Sequence, residues 1–122
     1  MLEKSVTRLG RHTIAELWRC DRDILRDESL LETIFRAACE AAGATILHSH
    51  FHKFGDEGGV TGVVVLAESH ASIHTWPEHE YAAVDVFMCG SCDPDRALGI
   101  IKKSLAARVK DKMTLQRGVF EN

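Results

Sequence analysis

No apolar run in the 122 residues approaches the length of a membrane-spanning segment, and the opening stretch, MLEKSVTRLGRH, has no apolar h-region of a secretory leader. Both absences predict a cytoplasmic chain that neither spans nor rests on a membrane. No stripe of lysine and arginine interleaved with aromatics is present, and the net charge is −3, which argues against nucleic acid as a partner. Repeats, low-complexity tracts and linkers are missing too, and there are only two prolines. The length therefore suits one domain, 1–122, large enough for a core of its own. Four cysteines, Cys20, Cys39, Cys89 and Cys92, are expected to stay reduced in a chain of this kind. Cys89-Gly90-Ser91-Cys92 has the spacing of a redox pair or of half a zinc site. No second ligand pair accompanies it, however, and no βαβ setting surrounds it.

What is present is an ordinary globular composition, 45% apolar and 27% charged. Residues 12–20 (HTIAELWRC) alternate loosely and predict a strand. Ser29 and Glu32 fit a capping box, and Leu30, Leu31, Ile34, Phe35, Ala38 and Ala42 follow at helical spacing until Gly43. Strands are predicted at 45–54, 60–67, 72–76 and 82–88, with FGDEGG as a loop between the first two. Asp93-Pro94 opens a second helix bearing Ala97, Ile101 and Leu105, and 113–116 forms an edge strand. These elements read as an α+β two-layer sandwich with an antiparallel sheet and two helices on one face. Two helices can blanket one side only. The bare side is expected to meet a second copy, giving a homo-oligomer of two or more chains.

The polar residues cluster around one apolar strand. Val63-Val64-Val65-Leu66-Ala67 runs straight into Glu68, Ser69 and His70, with His74 four residues beyond His70. Ser69 and His74 have the types of a nucleophile and its base, a pairing that requires hydrogen-bond reach. Thr61 starts the core strand, Cys89 ends a later one, and Glu78 follows Trp76-Pro77; adjacent antiparallel strands would gather these ends. His48, His50 and His52 alternate along one strand and share a face. With His70 and His74 they offer the alternative of a histidine-rich metal-binding or ligand-sensing module that never cleaves. Phe54 and Trp76 suit stacking on a planar ligand, although aromatics on strands are more often core.

The block GVTGVVVLAESHASIHTWPEHEYAAVDVFMCG (59–90) closely resembles the central segment of the prokaryotic S-adenosylmethionine decarboxylases, pyruvoyl-dependent enzymes of spermidine biosynthesis. LGRHTIAELWRCD (9–21) and FHKF (51–54) resemble the other recurrent segments of that family, in order. The resemblance implies that the chain is a proenzyme cutting itself between Glu68 and Ser69. The Ser69 hydroxyl would attack the Glu68 carbonyl and move the acyl group from nitrogen to oxygen. His74 would then take the Ser69 α-proton, and ester elimination, tautomerisation and hydrolysis would release ammonia. The products would be a β chain, 1–68, and an α chain, 69–122, headed by a pyruvoyl group. That ketone, the covalent cofactor, would hold the substrate amine as a Schiff base and take up the electrons freed as CO₂ leaves. Cys89 would return a proton to Cα, Glu78 would bind the ribose hydroxyls, and Phe54 would stack on adenine. No metal is implied. Thr61 stands where many members carry serine, Glu80 where glycine is frequent, and the 55–59 loop differs from the common form. Some relatives on the same scaffold decarboxylate arginine or ornithine, which leaves these as the alternative substrates.

Overall fold

Buried and open positions alternate along the four central strands of the sheet, and this alternation decides which side the helices cover. A computed structural model of the chain describes residues 7–120. Its elements are β1 (Thr7–Trp18), α1 (Arg22–Leu25), α2 (Glu28–Ala41), β2 (Ile46–Lys53), β3 (Val60–Leu66), β4 (Ser69–Trp76), a 3₁₀ turn (Pro77–His79), β5 (Tyr81–Cys89), α3 (Pro94–Ser104) and β6 (Arg108–Phe120). All strands join one antiparallel sheet in the order β2-β3-β4-β5-β1-β6. Residues 1–6, where the segment read for a leader begins, and 121–122 lie outside the described residues. No helix among the described residues is long and apolar enough to cross a membrane.

The α+β architecture is the expected one. Helix α2 lies over β2 and β3, and α3 over β1 and β5. Between the layers Leu31 and Phe35 of α2 and Ile101 of α3 meet Leu17, Val64, Leu66, Ile73, Val86 and Met88, all essentially without exposure. Two polar side chains, Thr13 and Thr75, are buried among the described residues. The buried Thr75 hydroxyl accepts from the Val60 N–H at 2.8 Å and donates to the Leu25 carbonyl at 2.8 Å, fixing the start of β3 to the end of α1. Thr75→Val keeps the shape but strands both partners, so we expect a loss of about 1–3 kcal/mol in urea unfolding. An unchanged midpoint would show that water replaces the hydroxyl.

Several boundaries differ from expectation. Helix α2 is capped by Asp27, whose side chain accepts from the Leu30 N–H at 3.0 Å, and not by Ser29. Asp27 wins because a charged oxygen at the positive helix end binds more strongly than a hydroxyl. Gly43, at φ 92°, ends the run as expected. Helix α1, capped by Asp21, was not anticipated. The strand expected at 72–76 is longer, an eight-residue strand that begins at Ser69. The edge strand extends from the expected 113–116 to Arg108–Phe120.

Among the described residues no helix covers the other sheet face. In register across it run His48, Val65, His70, Phe87, His12 and Leu115, and beside them His50, Val63, Ser72, Asp85, Ile14 and Met113. Ile14, Val65, Trp76, Met113 and Leu115 on this side are 38–57% exposed. At one end Trp18, Tyr81 and Trp76 form a stacked ladder with centroid spacings of 4.4 and 5.3 Å.

Candidate active site

Ser69 does not end a buried strand; it begins the next one. Leu66 pairs directly with Ser69, so Ala67 and Glu68 form a two-residue hairpin turn. Such turns favour a positive φ at their first residue, met by glycine or asparagine. Here the second residue, Glu68, is left-handed at φ 64°. A side chain in that region costs about 1–2 kcal/mol, so the peptide preceding Ser69 is held strained. The turn is anchored by the Ala67 N–H donating to the Thr45 carbonyl at 3.0 Å. Cys89, last in β5, lies against it: its Sγ is 3.8 Å from the Ala67 carbonyl oxygen and 4.0 Å from Glu68 Oε1. Among the described residues the Ser69 hydroxyl has one weak contact, 3.5 Å to the same Ala67 oxygen. Glu68, Ser69 and Cys89 thus share one end of the sheet.

Thr61, His74, Glu78 and Phe54 share the opposite end. Thr61 pairs with His74 across β3 and β4, and its Oγ1 is 3.1 Å from His74 Nδ1. Glu78 sits in the 3₁₀ turn that follows β4, and Phe54 follows β2, its N–H donating to the Gly59 carbonyl at 2.9 Å. Phe54, Thr61, His74, Trp76 and Glu78 line an open hollow of about 300 Å³. Ser69 and His74 are five residues apart on one strand, roughly 17 Å at ~3.4 Å per residue, and the odd offset turns them to opposite faces. Within one chain they are out of hydrogen-bond reach. The gathering of strand ends expected from the sequence yields two half-sites instead of one site.

The middle of the bare face holds a polar network that the sequence did not reveal. Asp85 Oδ2 accepts from His12 Nε2 at 2.6 Å and from His70 Nε2 at 2.9 Å, while Ser72 donates to its other oxygen. Burial alone would raise the Asp85 carboxyl, but these three hydrogen bonds outweigh it and hold the group below its ordinary value. Among the described residues His12, His70 and Asp85 are the only set of three ligand-type groups close enough to share a metal ion. The network fits hydrogen bonding better. The Arg117 guanidinium, which can only donate, meets His12 Nδ1 at 2.9 Å, so the His12 proton sits on Nε2 and points at Asp85. His48, His50 and His52 do share the bare face, yet they are exposed and belong to no such cluster. A carboxylate inside the apolar run AAVDVFM was the available signal for Asp85.

Cys20 and Cys39 are fully buried, and burial pushes both thiols up to about 11, which leaves them inert. Glu80 is left-handed at φ 54°, which accounts for a glycine preference there; Arg22 Nε pairs with its carboxylate at 3.1 Å.

Residues 11–118, which include both half-sites, match the family profile described as S-adenosylmethionine decarboxylase. The chain belongs to that family. Curated S-adenosylmethionine decarboxylase proenzymes agree. The one from Geobacillus kaustophilus is 46% identical over 111 residues, covering 91% of this chain and 89% of the relative. That of Caldicellulosiruptor saccharolyticus is 48% identical over 114 residues, covering 93% and 91%. That of Thermotoga maritima is 46% identical over 114 residues, covering 93% and 87%. Among solved structures, the adenosylmethionine decarboxylase from Aquifex aeolicus superposes with a TM-score of 0.84 at 39% identity, over 94% of this chain and 95% of that one. The resemblance carried by residues 9–21, 51–54 and 59–90 is thereby borne out, and membership of the S-adenosylmethionine decarboxylase family favours the enzyme over a non-cleaving histidine-rich module.

Proposed function

We propose that the chain is the precursor of a cytoplasmic, pyruvoyl-dependent S-adenosylmethionine decarboxylase that cleaves itself between Glu68 and Ser69 and works as a dimer built through its bare sheet faces. The observation that carries this reading is the pair of half-sites at opposite ends of one strand. A two-fold axis lying between two stacked sheets, perpendicular to the strands, reverses strand direction while keeping each strand over its own copy. β4 then lies over the partner's β4. The sheet end that carries Cys89 and the Glu68–Ser69 turn in one protomer then meets the end that carries the partner's His74, Thr61 and Glu78, and this happens twice. The same contact covers Ile14, Val65 and Leu115.

Each residue then has a role that its position supports. Strain at Glu68 and the loosely held Ser69 hydroxyl favour attack on the Glu68 carbonyl carbon. The partner's His74, its Nδ1 fixed by Thr61, presents Nε2 as base for the Ser69 α-proton. The pyruvoyl group, once formed at residue 69, supplies an electron sink for loss of CO₂. Cys89, at the edge of the turn, holds the proton that the substrate Cα needs. Glu78 accepts from the two ribose hydroxyls, and Phe54 offers a face to adenine.

Substrate identity is read by CO₂ release from the mature enzyme. We expect release from S-adenosylmethionine to exceed that from arginine or ornithine by at least ~10²-fold, because only a nucleoside uses both Glu78 and Phe54. Glu78→Gln should raise KM more than it lowers kcat. Release from a basic amino acid alone would overturn the substrate while leaving the cleavage chemistry standing.

A further inference from the structure

We infer that Cys89 and Cys92 form a reversible disulfide that switches decarboxylation off, an inference that rests on Cys89 serving as proton donor. The Cys92 N–H donates to the Cys89 carbonyl at 3.3 Å, closing a β-turn with Gly90 and Ser91 at its centre. Gly90 is left-handed at φ 62°, with nothing within 4 Å of where a Cβ would stand, so the turn forms without obstruction. A β-turn brings its first and last Cα atoms within about 7 Å, and disulfides span about 4.4–6.8 Å. The Arg11 guanidinium donates to the Cys92 carbonyl at 3.1 Å and steadies the far side of the turn. Both thiols are partly exposed and free, whereas Cys20 and Cys39 are buried on other elements.

A path to Cys89 must exist for the substrate to receive its proton, and a small disulfide can use the same path. The step balances as thiol–disulfide exchange with a low-molecular-weight disulfide RSSR. The Cys89 thiolate attacks one sulfur of RSSR, forming a mixed disulfide and releasing RS⁻. The Cys92 thiolate then attacks the Cys89 sulfur, forming the Cys89–Cys92 bond and releasing the second RS⁻. Two protons from the protein thiols end on the two RSH, the protein is oxidised by two electrons, and RSSR is reduced by two. The product has no Cys89 proton to give. Its Cys89 sulfur is drawn towards residue 92, away from the Ala67 carbonyl and Glu68. A disulfide closing so short a loop at a partly exposed site belongs to the labile, regulatory kind and not to the structural kind.

The test uses mature wild-type enzyme and Cys92→Ala, each treated with oxidised glutathione and then with dithiothreitol. In the wild type we expect the α chain to lose two hydrogens by intact mass and CO₂ release to fall by about 10²-fold or more, both reversed by dithiothreitol. Untreated Cys92→Ala should turn over normally. After treatment it should carry glutathione on Cys89 and never lose two hydrogens. Absence of the two-hydrogen loss in the wild type, or its presence with activity unchanged, overturns the switch. Cys89→Ala, assayed reduced, separates the two ideas. If it is inactive and the wild type forms no disulfide, only the switch fails. If it turns over normally, the proton-donor role has failed first.

Discussion

Ser69→Ala is expected to remain one uncleaved chain after prolonged incubation, while the wild type resolves into fragments of residues 1–68 and 69–122. The substitution removes the only oxygen at residue 69 able to attack the Glu68 carbonyl. It costs the fold little, since that hydroxyl makes a single contact of 3.5 Å to Ala67, and losing so weak a hydrogen bond at a partly exposed site costs under ~1 kcal/mol. A melting temperature within a few degrees of the wild-type precursor would therefore exclude unfolding as the reason for the missing cleavage. Intact mass decides the rest. The wild-type α chain should lack a free terminal amine and carry a ketone that reacts with hydrazines, and Ser69→Ala should show neither. Cleavage of Ser69→Ala between residues 68 and 69 would mean that another group breaks the bond, and the mechanism would fall with it.

The sheet was legible because 60–67 and 82–88 are short, almost continuous apolar runs rich in valine, as central strands are. The hairpin between β3 and β4 was not, because its turn, Ala67-Glu68, contains none of the glycine, asparagine or aspartate that mark tight turns. A residue forced into a left-handed position leaves no compositional trace, so Glu68-Ser69-His70 reads as the tail of one strand when it is the passage into the next. The cap of α2 was misplaced for a related reason. Ser29 and Glu32 have capping-box spacing, yet Asp27 two residues earlier offers a charged acceptor. Only 113–116 of β6 was legible, because an edge strand exposed on both sides need not alternate. At the site, residue types were readable from the ESH and HTWPE blocks, but their arrangement was not. Register alone decides that Thr61 lies against His74 while Leu66 lies against Ser69. The Asp85 network depends on His12, which is far away in sequence.

His74→Ala alone should stay uncleaved, and so should Ser69→Ala alone, yet co-expressed they should rescue each other. In a mixed dimer one composite site combines Ser69 and Cys89 of the His74→Ala chain with His74, Thr61 and Glu78 of the Ser69→Ala chain, and every part of it is wild type. The other site lacks both groups. Only the His74→Ala chain should be cleaved, since it alone keeps the serine, and a mass tag on either chain identifies which was cut. Random pairing makes about half of all dimers mixed, each with one working site of two. CO₂ release should therefore approach roughly a quarter of the wild-type value per chain, against near zero for either variant alone, where loss of a general base costs about 10²–10⁴-fold. The contrast does not rest on stability, because neither residue is buried. If Ser69 and His74 acted within one chain, no mixture would help, since each chain would lack one of the two. Co-expression without any cleaved His74→Ala chain would thus place both residues in a single protomer. That result would require β4 to fold back on itself, against the unbroken eight-residue strand from Ser69 to Trp76.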